Sequence, residues 1–492
     1  MANKIYLKII RNTAYLTVLF HVLTAPACAP VTETTRSTSS QSLTIQKYNK
    51  IIREGKPAFI LSEAEAALSE MSPLVEKYTG KKIEKLPPVK LINRNELAEI
   101  LLEELKSQYT KEFPNYTKEQ IHLISLIDSK TKSTSILGIY RENDGTLYLM
   151  PTNLNPILQL VGIDKKHTQP ILRLLVAHEL THALQDQETQ LKRFYQIDKF
   201  DEKLAFAATI EGHAVFVQNK IADELGLQDS MSEFLRFFSS ESVTFREPLL
   251  EVTKNITSIQ NEQKYIEGEK FIKYQHELGG NERVWEILAH APAKTSMILH
   301  PESYNSTKLA EIDYASLFED FEKIFGEGDW ASQNTEIGEM SLYSYLTYLN
   351  ESDREEMISQ ISNAQYFSSI NQKQDKKLSI LVMILRDDLF SSKGVDLLVQ
   401  RIQKRVKNLK SSSLVSIQDF LLEDFPGIQA DKAVKMSFSV SGNFRVQKTK
   451  EVIIDIGKGN IIIELNPIGM EIKDESIMNM VKMILDRYEL LK

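Results

Sequence analysis

Cysteine is almost absent from this chain: among 492 residues only Cys28 carries a thiol. One thiol cannot build a disulfide framework, and its place at the N-terminus argues against a thiol-based active site. A basic excess is missing too, since 59 Lys and Arg face 67 Asp and Glu, a formal net charge of −8. Nucleic acid is therefore not an expected partner. Phosphate binding needs a clustered basic surface, whereas the short basic stretches at 373–377 and 404–410 are interleaved with uncharged or acidic residues and read as solvated faces or loops. No segment approaches the ~18 uninterrupted apolar residues of a membrane-spanning helix.

With 42% hydrophobic and 26% charged residues, the composition is that of a globular chain with a sizeable core. The length suits two or three compact units, or one large enzyme with closely packed lobes.

The N-terminus has a distinct pattern. Lys4, Lys8 and Arg11 precede a mostly apolar stretch at 14–23, and Ala25-Pro26-Ala27-Cys28 follows. A charged region, an apolar core and small residues at a cleavage point are the parts of a secretory signal, expected here over residues 1–28. Cys28, directly after those small residues, resembles the acylated cysteine of a bacterial lipobox, although Leu23 lies farther from it than the usual leucine. The expected location is the cell envelope, with the membrane touched only through a lipid on Cys28; plain cleavage and release is the other outcome. The Thr- and Ser-rich residues 29–44 suit a flexible tether.

Further on, the pattern is helical from Tyr48 to Tyr78, with Ser62 as N-cap and Gly80 as stop. Pro87-Pro88 introduces a strand at Val89-Lys90-Leu91-Ile92, after which Asn93 or Asn95 caps a helix through Leu97, Leu101 and Leu105. A hairpin is expected from Ile136 to Met150, turning at Asn143-Asp144-Gly145. A helix should begin near Pro170 with Thr168 as its cap, and a second should run from about Asp201 to Ala222. Beyond Glu233 the reading is mostly helical, broken at Gly279-Gly280, Ala291-Pro292 and 326–328. It closes with a hairpin through Val452-Ile453-Ile454-Asp455 and Ile461-Ile462-Ile463, then a helix from Asp474.

His178-Glu179-Leu180-Thr181-His182 carries the chemistry. Residues four apart on a helix lie one above the other, so both imidazoles can face one point, with Glu179 able to reach a water held there. Two imidazoles, a carboxylate and a water make a tetrahedral zinc site with one exchangeable position. Such a five-residue match arises by chance roughly once in a hundred chains of this length, so its helical context matters. The third ligand must come from another element: at ~1.5 Å of rise per residue, Asp186 would lie ~12 Å along the axis from His178. Gln185 and Glu188 stand where the metzincin pattern requires glycine and histidine, which excludes that branch. The best donor is Glu211, a carboxylate in a mostly apolar helix whose neighbours Ala207, Ala208, Gly212 and Ala214 would let it approach the first helix closely. His213 is the rival ligand, and an exposed glutamate on an amphipathic helix is the plainer reading of Glu211.

On these residues the chain resembles the gluzincin group of zinc peptidases, in which a glutamate on a later helix completes HExxH. More narrowly it is similar to a set of bacterial envelope proteins with patterns near HExxHALQDQ, EGxA and HPxxY, here at 178–187, 211–214 and 300–304. The likeness covers roughly residues 60–340, and His213 departs from it by standing where an acidic residue is usual. It implies an α+β, zincin-like core: a small mixed sheet, the HExxH helix and a glutamate-ligand helix, over residues 45–350. A mostly helical C-terminal region, 351–492, would follow. It also implies Zn2+ held by His178, His182 and Glu211, with Glu179 as general base for hydrolysis of peptides or proteins. His300 or Tyr304 would serve as the oxyanion donor, because similar enzymes place a histidine or tyrosine opposite the metal; a helix-terminating His-Pro turn with a packed tyrosine is the other reading. Tyr140 and the strand Leu147–Met150 are candidates for the edge along which an extended peptide lies, or simply for core packing. The competing function is a catalytically silent zincin-fold lipoprotein that acts in binding or envelope assembly.

Overall fold

The computed structural model describes residues 55–112, 116–134, 136–238, 263–305, 314–319, 321, 330–371, 376–410, 415–442 and 449–491. The expected signal peptide, Cys28, the tether and the start of the first expected helix lie outside these residues, as does the expected break at 326–328. The described chain is α+β and divides into two compact units, one ending at Tyr304 and the other beginning at Asn305, apart from Lys199–Asp201, which group with the second. That boundary precedes the expected one at 350.

In the first unit, helix α1 spans Leu61–Thr79 and buries Ala64, Ala67, Leu68, Met71 and Val75, the apolar stripe of a 3.6-residue period. It begins at Ile60, whose N–H is taken by the Glu63 carboxylate at 2.8 Å, and not at the expected Ser62 cap. Gly55, with φ of 57°, and Pro57 precede it, so the helix does not reach back toward Tyr48 through this stretch. Gly80, at φ 70°, closes it. Strand β1 (Val89–Leu91) is followed by α2 (Arg94–Glu112), where Asn93 Oδ1 accepts the N–H groups of Asn95 and Glu96 while Glu96 returns a bond to the Asn93 N–H. A further helix, α3 (Lys118–Lys132), is capped by Thr117 and Gln120 in the same reciprocal way and was not foreseen.

The hairpin forms as expected, β2 (Gly138–Arg141) pairing antiparallel with β3 (Thr146–Leu149) across a turn in which Gly145 takes φ of 65°. Because β1 joins β3 in parallel, the order is β1-β3-β2. Strand β3 is thus central and wholly buried, with β1 and β2 as the two edges; of the two readings offered for 147–150, edge or core packing, the strand takes the second. Helix α4 (Pro151–Val161), also unforeseen, leads to α5 (Thr168–Thr189). Thr168 is the first helical residue and His167 holds the cap position, so the expected Thr168 cap is displaced by one residue. Apolar residues surround α5 on most sides, with Leu172, Leu174, Val176, Ala177, Leu180 and Leu184 fully buried. It is the core helix of this unit. Helices α6 (Phe200–Leu225) and α7 (Gln228–Phe238) follow. A π-turn over Gln263–Glu267 then opens α8 (Gly268–Ala289), which breaks at Gly279-Gly280 as expected and is followed by α9 (Thr295–Leu299).

The second unit overturns the mostly helical expectation for the C-terminal part. It is built on a seven-stranded antiparallel sheet in the order β4-β5-β6-β10-β9-β8-β7: β4 Trp330–Glu336, β5 Ile361–Asn371, β6 Lys376–Leu385, β7 Val415–Asp424, β8 Lys432–Gly442, β9 Thr449–Lys458 and β10 Ile461–Ile468. Helices α10 (Glu339–Tyr345), α11 (Glu351–Gln360), α12 (Ser391–Lys410) and α13 (Asp474–Leu491) complete it. The misreading has a physical cause. Strand β6 carries the unbroken run Leu-Val-Met-Ile-Leu because both faces of the sheet are covered, and a run without alternation is the same signal a buried helix gives. One face packs Ile454, Ile456, Ile463 and Leu465 against α13. On the other, Arg401 of α12 meets Glu464 at 2.7 Å.

Candidate metal centre

His178 and His182 stand one turn apart on α5, their rings edge to face at 4.7 Å and their Nε2 atoms 3.1 Å apart. From α6, Glu211 brings Oε2 to 3.2 Å from His178 Nε2 and 3.4 Å from His182 Nε2. Three donors at 3.1–3.4 Å form one face of a tetrahedron. Ligand bonds of ~2.0–2.1 Å require tetrahedral edges of ~3.3–3.4 Å, so the donor set fits a small divalent ion. The side chains are 12%, 13% and 26% exposed, which keeps the group accessible from one side.

Gln185 sets the orientation. Its Oε1 accepts the His182 Nδ1–H at 2.8 Å, which turns the other ring nitrogen toward the donor group. Its amide donates to the Ile210 carbonyl at 2.9 Å and to His213 Nδ1 at 3.0 Å, tying α5 to α6 at the level of the site. Gln218 repeats the stitch on the Leu174 carbonyl at 3.0 Å. His213 is therefore a support for Gln185 rather than a ligand. Burial first, and then the charges of His182 and His276, push its pKa down to about 3, so it stays neutral.

Burial opposes the charged forms of both Glu211 and His182, and the contact between them outweighs it. Hydrogen bonds from His178 and His182 hold the Glu211 carboxyl well below the usual carboxylate range. The bond to Glu211 and its charge, then the charge of Glu179, lift His182 to about 9. Without a metal, the proton on His182 takes the place of the cation.

Glu179 is buried, and its Oε2 accepts the Tyr140 N–H at 2.7 Å. Gly138 makes room for this: a Cβ there would lie 3.0 Å from Glu179 Cγ and from a Leu175 methyl. The Leu137 carbonyl accepts the Met150 N–H, so residues 137, 139 and 141 face β3, and Gly138 and Tyr140 turn their main-chain groups outward. The carboxylate thus sits on the β2 edge of the sheet. The Tyr140 hydroxyl donates to Asp186 at 3.0 Å.

Tyr265 is a neighbour that sequence reasoning missed. Helices α6 and α8 cross at Gly212 and Gly268, where a Cβ on Gly212 would come within 2.1 Å of the Gly268 carbonyl carbon and one on Gly268 within 2.1 Å of the Ala208 oxygen. The small residues around Glu211 thus serve the approach of α8 as well as that of α5. This crossing carries the π-turn onto the site, placing the Tyr265 ring 6.2 Å from that of His178. The charge of Glu211, then burial and a hydrogen bond to the same carboxylate, keep the phenol protonated. Gly212 and Gly268, 56 positions apart, were the only sequence trace of this arrangement, and a lone glycine pair does not announce a contact.

His300 and Tyr304 belong to a turn. The Tyr304 hydroxyl donates to the His290 carbonyl at 2.6 Å, and its ring packs on Phe271 with Arg283 over it. His300 ends α9, its carbonyl taking Ser303. Tyr265 interacts with Glu211, whereas the Tyr304 hydroxyl is taken by the His290 carbonyl.

No protein-family model matches the chain, and no curated protein matches it. A crystal structure described as "a putative hydrolase with a novel fold" from Chloroflexus aurantiacus aligns at a TM-score of 0.37 and 15% identity, over 55% of this chain and 97% of that one. A likeness that low carries no argument about chemistry. Among the described residues no helix is long and apolar enough to cross a membrane, and His178, His182 and Glu211 form a group able to hold a metal ion.

Proposed function

We propose that this protein is a zinc-dependent hydrolase of peptide bonds with a zincin-like core and a gluzincin-type site. In this reading it works on peptides or proteins in the cell envelope, tethered by a lipid on Cys28. The observation that carries the reading is the donor triangle of His178, His182 and Glu211, 3.1–3.4 Å on its edges, with Glu179 beside it on the same helix. Zinc bound there supplies a Lewis acid and a water of lowered pKa.

The chain's own residues do the rest. Glu179 is pinned through Oε2 by the Tyr140 amide, and its second oxygen takes a proton from the attacking water and returns it to the leaving amine. Tyr265, held in its protonated form, turns its hydroxyl from Glu211 to the oxyanion of the tetrahedral intermediate once that carboxylate serves as a ligand. With the Tyr140 amide held by Glu179, the outward carbonyls of Gly138 and Tyr140 and the Gly138 amide give an extended peptide an edge to pair with.

The test is zinc stoichiometry and peptide-library cleavage for the wild type, Glu179→Gln and Glu211→Ala. Glu179→Gln should keep its metal and lose about 10²–10⁴-fold in turnover. Glu211→Ala should lose affinity for the ion. Full activity in Glu179→Gln ends the assignment, and a wild type that binds zinc yet cleaves nothing points to a silent assembly factor.

A further inference from the structure

Tyr140 meets α5 twice. Its N–H donates to Glu179 Oε2 at 2.7 Å, and its hydroxyl donates to Asp186 Oδ2 at 3.0 Å. Asp186 follows Glu179 by 186 − 179 = 7 residues, close to two full turns, so the two carboxylates lie on one face of the helix, about 10 Å apart along its axis. Asp186 is itself fixed. Its Oδ1 accepts the Leu191 N–H at 2.9 Å and its carbonyl accepts the Gln190 N–H at 3.0 Å, where the chain leaves α5. Gln190 makes that exit at φ 56° and ψ 79°, in the left-handed region that favours glycine; among the described residues only Asp419 shares this departure without being glycine. Backbone held in such a conformation points to a use for it.

The second contact matters because β2 is weakly held. It is four residues long and pairs with β3 on one side only, and backbone at a sheet edge opens at low cost. Helix α5, by contrast, is the buried core of its unit. A glutamate side chain has three rotatable bonds, so an amide that drifted with the edge would let the Glu179 carboxylate swing. Anchoring the phenol on Asp186 stops that drift. Burial first, and then the charge of Asp186, raise the Tyr140 phenol above its ordinary pKa, which keeps it a donor.

We infer that Asp186 is a positioning residue for hydrolysis: through the Tyr140 hydroxyl it fixes β2 along α5 and so keeps the Tyr140 amide on the Glu179 carboxylate. The word hydrolysis rests on the peptidase reading, whereas the clamp itself does not. Capping of α5 accounts for the Leu191 bond alone and leaves the Tyr140 bond without a role.

Amide exchange and kinetics on the zinc-loaded full chain test this together. Tyr140→Phe removes the phenol's bond and leaves Leu191 on Asp186, so exchange at residue 140, read by mass spectrometry with single-residue fragmentation, should quicken about tenfold or more while residue 191 stays protected. Zinc content should not change. On a peptide that the wild type cuts, kcat should fall on the order of ten- to hundredfold with KM near the wild-type value. Asp186→Ala should quicken exchange at both residues and lose as much turnover. In Asp186→Asn the side-chain oxygen takes Leu191 and the amide donates to the phenol, so the bridge closes and turnover returns. Should Asp186→Ala fail to fold, the other two variants decide. Unchanged exchange at residue 140 in Tyr140→Phe overturns the clamp whether or not any peptide is cut. Faster exchange with wild-type kcat, a rise in KM alone, or turnover still lost in Asp186→Asn after residue 140 is protected again overturns the positioning role. Loss of zinc from Tyr140→Phe overturns it as well, since the bridge would then serve the ligands. If exchange quickens, zinc stays and the wild type cuts nothing, the clamp stands and the hydrolase reading falls.

Discussion

Raising the pH of the metal-free protein should weaken it through one residue. His182 carries a proton in the folded state up to about 9, against an ordinary value of 6.5, because it faces the Glu211 carboxylate at 3.4 Å. A folded state that holds a proton more tightly than the unfolded chain has the full benefit below pH 6.5 and loses it as the pH rises through 9. The interval, 9 − 6.5 = 2.5 pH units, corresponds to about 3 kcal/mol at 1.36 kcal/mol per unit. Glu211 is the other half of the same contact, so its depressed carboxyl is not counted again. Urea unfolding in the presence of a chelator, at intervals from pH 6 to 10, should show this loss, and Glu211→Gln should flatten it. Metal binding has the opposite sign, since the cation displaces the proton: affinity should rise up to tenfold per pH unit toward pH 9, with about one proton released per ion at pH 7.5. Calorimetry in buffers of different ionisation enthalpy counts that proton. Metal-free stability that stays level between pH 6.5 and 9, or metal uptake at pH 7.5 with no proton released, refutes the argument.

Gly212→Ala puts a methyl 2.1 Å from the Gly268 carbonyl carbon, so α6 and α8 must part by close to an ångström; urea unfolding should show a loss of about 3 kcal/mol, and a loss under about 0.5 kcal/mol would show the crossing to be soft. Gln185→Leu removes the acceptor that orients His182 and the link to Ile210, and chelator competition should find metal affinity lowered about 10–100-fold. Unchanged affinity would mean that packing alone holds the ring.

Much of the candidate site was legible because its signals are local. His178 and His182 share a face as a consequence of helical period, and Asp144-Gly145 turns the hairpin whichever partners surround it. Glu211 could be named because a carboxylate in a buried helix needs a partner, a condition readable from its neighbours. Where the reading failed, the deciding contact was distant in sequence. By motif Tyr304 is a candidate oxyanion donor or a packed tyrosine after a His-Pro turn, and only the tertiary structure shows its hydroxyl on the His290 carbonyl. The run in β6 looked helical because cover on both faces erases the alternation that marks a strand.

The sequence by itself determined the spacing of the two imidazoles, the carboxylate beside them and the hairpin, all of which follow from backbone period and turn chemistry within a few residues. Tertiary structure alone decided that Gln185 and His213 hold one ring in register, that a glycine crossing delivers Tyr265 to the carboxylate, and that the C-terminal part is a sheet. The reason is physical: period and capping are properties of one segment, whereas orientation, charge balance and close approach are properties of pairs of segments that only packing brings together.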